Sequence, residues 1–241
     1  MAEVFQKIGK PITISQEIQQ KIEEAILNKT FVSGQKLPTE KEMCDMFGVS
    51  RTALREALQM LNAKGLITVK KGSGIFIKRF SRSNVLKPMM MFLELNLNKE
   101  YIAHIIEVRK VLEPGIARIA AQYRSETDIE KLEKSLIDLE NCDISDYQRQ
   151  GVIDRDFHLI IANATANPMI PLIIEPIFNI MPKIRMLVYA NIEKAQNTAL
   201  LYHTRIVNKI KNKDEDGAFD MMTEHLKLAE EHSQIISNEL L

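Results

Sequence analysis

The sequence has 241 residues, of which 45% are hydrophobic and 27% charged, so it can bury a core and fits one large domain or two modest ones. No membrane span is expected, because the longest uncharged run, residues 159–174, is interrupted by two asparagines and two prolines. The first thirty residues carry charges throughout, which argues against a secretory signal. These features predict a cytoplasmic protein.

The formal net charge of zero hides an asymmetry between the two ends of the chain. Residues 1–80 contain 13 basic and 8 acidic residues, a net charge of +5, whereas the remainder contains 19 basic and 24 acidic residues, a net charge of −5. A basic N-terminal module joined to an acidic larger one is expected if only the first contacts phosphates.

The N-terminal part of the chain is predicted to begin with three helices. Residues 15–27 have apolar side chains at helical spacing, which indicates an amphipathic helix. Thr39 and Glu42 match a capping box, so a second helix should run to about residue 47. Gly48 then supplies a tight turn, and Ser50 caps a third helix that ends near residue 64. Two short helices joined by a glycine turn form a helix-turn-helix.

After the third helix the pattern changes to two short apolar runs, residues 66–69 and 75–77, separated by a basic, glycine-rich tip. This pattern predicts a β-hairpin, the wing of a winged helix-turn-helix. The third helix presents Arg51, Thr52 and Arg55 from its first turns, so it is the candidate recognition helix. Each element alone also occurs in folds that do not bind DNA, and their order in a basic module favours DNA.

Residues 79–88 are predicted as a linker, because this segment is polar and basic and ends in a proline. Beyond it only helical periodicity appears, which predicts an all-α antiparallel bundle over residues 89–241, behind a DNA-binding domain over residues 1–78. Three prolines should kink or subdivide the helix predicted over residues 169–190. The predicted fold class is mostly α, with predicted bundle helices at residues 89–95, 101–123, 127–141, 144–164, 169–190, 192–212 and 215–237.

Four polar residues in the predicted bundle are candidate metal ligands. Asp154 and His158 are four residues apart and share a helix face, while His203 and His225 lie on two later helices. One carboxylate and three imidazoles suit zinc, nickel, manganese or iron if the bundle brings them together. The alternative is a set of scattered surface or hydrogen-bonded histidines.

The N-terminal motifs resemble those of the GntR family of transcriptional repressors: GQKLPTE at residues 34–40, VSRTALREAL at 49–58 and GSG at 72–74. The resemblance implies that Arg51 and Arg55 contact guanine edges and phosphates, and that Ser50 and Thr52 bind the DNA backbone. It also implies that Gly72 enters the minor groove at the wing tip. Relatives often carry arginine in place of Lys41, so a phosphate contact is expected there. Phosphate contact is also expected for Lys71.

The C-terminal motifs resemble those of the FadR-type ligand domain called FCD: DRDFH at residues 154–158, NP at 167–168, HTRI at 203–206 and AFDMMTEHL at 218–226. The resemblance covers about residues 88–236. In the metal-binding branch of that domain, the matching ligands are Asp154, His158, His203 and His225. The other two histidines, His104 and His232, do not match ligand positions.

An anionic effector would suit such a site, because a divalent ion with one aspartate keeps a net charge near +1. The expected effector is a small carboxylate, as relatives of this kind commonly bind organic or sugar acids. Arg109 resembles a family arginine that lines the cavity and clamps a carboxylate. The alternative for Arg109 is a surface arginine paired with Glu113.

A homodimer that binds an inverted repeat in operator DNA is expected, because one recognition helix covers only a few base pairs. Two alternatives stay open. A metallohydrolase would use the three histidines to activate water, although no His-Glu-x-x-His motif is present. In the other alternative, the metal is structural and the effector binds elsewhere.

Overall fold

The computed structural model describes residues 12–79, 81–192 and 195–239. The first eleven residues of the segment that is predicted to lack a secretory signal lie outside the described residues. Phe80 of the predicted linker and residues 240–241 lie outside them as well. The described elements are α1 (Ile14–Leu27), α2 (Glu40–Phe47), α3 (Arg51–Ala63), β1 (Ile67–Lys70), β2 (Gly74–Ile77), α4 (Arg82–Leu95), α5 (Lys99–Tyr123), α6 (Glu126–Glu140), α7 (Tyr147–Asn163), α8 (Met169–Asn191), α9 (Ala195–Lys211) and α10 (Glu215–Glu239).

The N-terminal unit is a winged helix-turn-helix, as the sequence predicts. The Thr39 hydroxyl accepts from the Glu42 backbone N–H, and Glu42 accepts in return from the Thr39 N–H, so α2 begins with the predicted capping box. Gly48 ends α2 in the left-handed region, with φ of 66°. The apolar faces of α1, α2, α3 and the hairpin share one core, which includes Ile18, Ile22, Leu37, Met43, Leu54, Leu61 and Ile67.

The wing is an antiparallel hairpin in which Ile67 pairs with Ile77 and Lys70 pairs with Gly74. An isolated bridge between Lys36 and Phe76 joins the segment before α2 to the free side of β2. Gly72 and Gly74 both have positive φ, at 73° and 120°, which side chains other than glycine rarely adopt. The tip of the wing therefore depends on its glycines.

The chain divides into two compact units between Asn84 and Val85. This division falls inside the segment predicted as a linker, but α4 already begins at Arg82 and includes Pro88. The Asn84 side-chain oxygen accepts from both the backbone N–H and the hydroxyl of Ser81 at 2.9 Å, which ties Ser81 to the first turn of α4. Most of the predicted linker is therefore helical.

The C-terminal unit is an all-α bundle, in agreement with the prediction. Helix α5 packs along α10, and α7 packs along α8, which follows it after a short loop. The main core comes from the apolar faces of α5 to α10 and includes Ala117, Leu132, Phe157, Ile161, Phe178, Ile206 and Leu226.

Helix α8 is continuous over Met169–Asn191 and contains Pro176 and Pro182, so the prolines do not subdivide it, and the other expected outcome, a kink, stays a prediction. Its packing against α7 is close. A Cβ added to Gly151 would lie 2.9 Å from the carbonyl oxygen of Pro182, so only glycine lets the two backbones approach this closely. Tertiary packing thus holds together a helix that its prolines would weaken.

No helix in the described part of the chain is both long and apolar enough to cross a bilayer.

Candidate metal centre and nucleic-acid interface

The start of α3 presents the predicted DNA-contacting residues to solvent. The Ser50 hydroxyl caps the helix by accepting from the Ala53 N–H at 3.3 Å. Arg51, Thr52 and Arg55 follow within the first two turns and are exposed, while Leu54 between them is fully buried. The buried face fixes the helix in the unit, which directs the polar face outward.

The other predicted DNA-contacting residues are exposed as well. Lys71 and Gly72 lie at the tip of the wing, and Lys41 lies in the first turn of α2. Two further residues of this surface were missed by sequence reasoning. Arg55 donates from Nε to Glu40 at 2.8 Å, and the Lys36 side chain lies against Gly74. A signal for Glu40 was present, since it directly follows the capping threonine.

The four candidate metal ligands converge in the C-terminal unit. Asp154 and His158 come from α7, His203 from α9 and His225 from α10, and each side chain is at most 2% exposed. One ligand atom from each residue lies within 4.8 Å of the others. The alternative of scattered surface histidines is therefore wrong. The spacing of four places Asp154 and His158 one turn apart on the inner face of α7.

Aromatic stacking orients the imidazole rings. Phe157 lies almost parallel to His203, with ring centroids 3.8 Å apart and an interplanar angle of 11°. The His158 and His225 rings also stack, at 5.3 Å, and the His203 and His225 rings lie 4.8 Å apart. The rings are thus held by packing, as a preformed ligand set requires.

Several ring nitrogens in this cluster are buried without a hydrogen-bond partner among the described residues, including Nε2 of His203 and both ring nitrogens of His225. Leaving a buried polar atom unpaired costs about 1–3 kcal/mol. A divalent cation would bind such nitrogens at about 2.0–2.1 Å, so two ligand atoms of one ion can be at most about 4.2 Å apart. The four ligand atoms here lie within 4.8 Å of one another, so binding an ion would draw the side chains inward.

The cluster is surrounded by charged and polar residues that sequence reasoning missed. Arg185 on α8 donates from Nε to Asp154 Oδ2 at 3.0 Å, and the Tyr189 hydroxyl donates to Asp154 Oδ1 at 3.3 Å. Both residues are buried. The available signal was a charged residue within a strongly apolar helix, the same signal that identified Asp154.

Arg109 is completely buried, so its interpretation as a surface arginine is wrong, although it does pair with Glu113 four residues later. Its Nη2, which also donates to Glu113, lies 3.3 Å from Nε2 of His158. Glu113 Oε2 lies 2.7 Å from Nδ1 of His158, but this nitrogen is poorly aligned to donate. Arg109 thus lies beside the ligand cluster rather than on the surface.

Burial and these charges shift the pKa values in a consistent direction. Burial is the largest single influence and would raise the pKa of Asp154, but Arg185 and the other charges around the carboxylate together hold this pKa well below its usual range. Burial would likewise raise the pKa of Glu113, but Arg109 and His158 together lower it to about 2. Burial lowers the pKa of His203 to about 3 and that of His225 well below its usual range. Both carboxylates are therefore ionised, and both imidazoles are neutral and able to bind a cation.

The two remaining histidines lie outside the cluster, as expected. His104 is exposed on α5, and His232 is half-buried on α10. Neither belongs to the group of ligand atoms.

Two family models match this chain. Residues 14–77 match that of the bacterial regulatory proteins of the gntR family, and residues 104–228 match the FCD domain. The chain belongs to the GntR family of transcriptional regulators. It is 30% identical to the HTH-type transcriptional regulator YcbG of Bacillus subtilis over 220 residues, covering 89% of this chain and 88% of that protein. The chain therefore has an FCD-type domain behind its DNA-binding module.

Two further similarities agree with this assignment. The chain is 34% identical over 145 residues to the regulator LutR of Bacillus subtilis, and this match spans 60% of the chain and 65% of LutR. The solved structure of Streptococcus agalactiae GntR has the same fold, with a TM-score of 0.61, 22% identity and coverage of 90% of this chain and 99% of that one. The family consists of DNA-binding regulators and not of enzymes, so the metallohydrolase alternative is set aside.

We expect the stability of this regulator to fall in mild acid when a chelator is present. Unfolded histidines bind protons near pH 6.5, whereas His203 does so only near pH 3 in the folded state. Stability is therefore complete above pH 6.5 and declines toward pH 3, by about 1.4 kcal/mol per pH unit for each such imidazole. Denaturant titrations between pH 7.5 and 5.0 measure the slope.

The variant His203→Gln should show a shallower slope than the parent protein, while the exposed-site control His104→Gln should keep the parental slope. A parental slope in His203→Gln would contradict the role of this buried imidazole.

Proposed function

We propose that this regulator holds a divalent metal ion on Asp154, His158, His203 and His225, and that a small carboxylate effector binds beside it to control operator affinity. The observation that carries the proposal is the convergence of buried imidazole nitrogens without hydrogen-bond partners. Three nitrogen ligands and one oxygen ligand favour zinc, with nickel, manganese or iron as alternatives. The bound ion would supply positive charge at the centre of the bundle.

The surrounding charges favour an anionic effector. Asp154 and Glu113 contribute two negative charges, and Arg109 and Arg185 balance them. With neutral histidines and a divalent ion in place, the buried cluster has a net charge of +2. A buried charge without a counterion is costly, so a carboxylate in contact with the cluster would stabilise it.

Arg185 is the stronger candidate for contact with that carboxylate. Its Nε is held by Asp154, but one terminal nitrogen is buried without a hydrogen-bond partner. The predicted effector contact, Arg109, directs two nitrogens at Glu113 and has less capacity left. We infer that Arg185 binds the carboxylate and that Arg109 lies next to it.

A neighbouring cavity could take the uncharged part of the effector. It has a volume of about 670 Å³, in the range of small-molecule sites, and Tyr189 separates it from Asp154. Uncharged polar side chains dominate its described lining, which includes Ser145, Tyr147, Gln150, Asn191, Gln196 and Asn197. Such side chains suit the hydroxyl groups of a sugar acid.

On the DNA side, we propose a homodimer that binds an inverted repeat through α3 and the wing. The proposed contacts are Arg51 and Arg55 to base edges, and Ser50, Thr52, Lys41 and Lys71 to the backbone, with Gly72 in the minor groove. All seven residues are exposed, which supports this assignment. Repression would follow if the bound dimer blocks the promoter.

Replacing His225 by Ala should remove most of the bound metal and lower the melting temperature of the loaded protein. The reason is that a three-ligand site loses affinity and the ion no longer stabilises the fold. Elemental analysis of the purified protein and melting curves with and without chelator measure both effects. His104→Ala, at an exposed histidine outside the cluster, is the matched control. Full metal occupancy in His225→Ala would show that the ligand set is wrong.

Operator binding should weaken steeply with salt, because about 6–8 phosphate contacts per dimer give a slope of log K against log salt of roughly −5 to −7. Replacing Arg51 by Ala should cost about 1–3 kcal/mol on the operator and much less on DNA of random sequence. Fluorescence anisotropy with both duplexes measures these affinities. The control variant Lys21→Ala removes an exposed lysine from α1 and should leave the affinity for both duplexes unchanged. An equal loss of affinity for both duplexes would show that Arg51 contacts phosphates rather than base edges.

A further inference from the structure

An ion pair connects the two helices of the helix-turn-helix on their exposed side. Glu40 is the first residue of α2, and Arg55 lies in the second turn of α3. The Arg55 Nε donates to Oε2 of Glu40 at 2.8 Å. This distance is normal for a charge-assisted hydrogen bond.

The fold fixes the position of Glu40. Its neighbour Thr39 caps α2 through reciprocal hydrogen bonds with Glu42, the shortest of which is 2.7 Å. Met43, one turn after the cap, is buried in the core of the unit. The backbone at Glu40 is therefore held from both sides, and its carboxylate is a fixed acceptor for the longer arginine side chain.

The contact with Glu40 uses only one site of the Arg55 guanidinium. Within the described residues, the two terminal nitrogens of Arg55 have no other hydrogen bond or ion pair. These two nitrogens form the edge that can donate to O6 and N7 of a guanine. Glu40 therefore restricts the arginine without occupying the edge that recognises a base.

We propose that Glu40 is a positioning residue that orients Arg55 toward a base edge and disfavours binding to DNA of other sequence. The proposal rests on the assignment of Arg55 to the operator interface. An unrestrained arginine loses rotamer freedom when it binds a base, and the ion pair imposes part of that restriction before DNA arrives. In addition, the Glu40 carboxylate repels DNA phosphates. Non-specific complexes are held almost entirely by the attraction between basic side chains and phosphates, so this repulsion weakens them.

A purely structural role predicts a different result. An ion pair this exposed adds little to folding stability, so its loss should not unfold the unit. If Glu40 only held α2 against α3, its removal would weaken binding to every DNA in parallel and lower the melting temperature. Positioning and phosphate repulsion instead change the two DNA affinities in opposite directions.

The experiment compares Glu40→Ala and Glu40→Gln in the full-length protein, with operator DNA and a scrambled duplex as probes. Glu40→Ala should bind the operator about tenfold more weakly, since a base contact is impaired. It should bind the scrambled duplex about threefold more tightly, since one repulsive charge is lost. Glu40→Gln keeps an acceptor oxygen, so it should recover most of the operator affinity while keeping the gain on scrambled DNA.

The matched control is Glu23→Gln. Glu23 accepts from Lys64, at the other end of α3, also at 2.8 Å, so this variant breaks a comparable ion pair away from the proposed interface. It should leave both DNA affinities unchanged. Melting temperatures of all variants, measured in parallel, report any loss of folding.

Arg55→Ala completes the test. In the Arg55→Ala background, Glu40→Ala should cause no further loss of operator affinity, because the two residues act as a unit. The proposal is overturned if Arg55→Ala weakens operator binding and Glu40→Ala does not, or if Glu40→Ala weakens both duplexes equally. If Arg55→Ala leaves operator binding unchanged, the assignment of Arg55 itself is wrong and the role of Glu40 is lost with it.

Discussion

The C-terminal half of this regulator depends on one constraint, the burial of a carboxylate and three imidazoles inside the helical bundle. Arg185 and Tyr189 donate to the Asp154 oxygens, but the ring nitrogens of His225 have no hydrogen-bond partner in the described part of the chain. Such burial is costly unless a further group pairs with these atoms. Because the ligands come from α7, α9 and α10, any group that binds them also sets the spacing of three helices.

The helix pattern of this fold was predictable because local signals agree with tertiary packing. The capping box at Thr39, the left-handed Gly48 and the alternation around Leu54 each specify their element without help from the rest of the chain. Local signals were less informative at the prolines. Helix α8 is not subdivided at Pro176 or Pro182, and α4 extends through Pro88 into the segment predicted as a linker, although the boundary between the two units does fall in that segment.

The candidate site was predictable only in part. The spacing of Asp154 and His158 places both on one helix face, but no local rule brings His203 and His225 to the same point. Motif resemblance supplied that step, and the structure agrees with it. Arg185 was missed because a lone arginine in a sequence does not reveal what it faces. The sequence left the burial of Arg109 open for the same reason, since its spacing from Glu113 is also that of a surface pair.

The measurement that tests the central claim most directly is a calorimetric titration of the zinc-loaded protein, alone and bound to operator DNA. The ligand is the organic or sugar acid that most raises the melting temperature. If the carboxylate lowers operator affinity a hundredfold, linkage requires the operator to weaken its binding a hundredfold, or about 2.7 kcal/mol. The account predicts that difference. Equal affinities in the two titrations would contradict it, because the metal-centred site would then not control the DNA-binding unit.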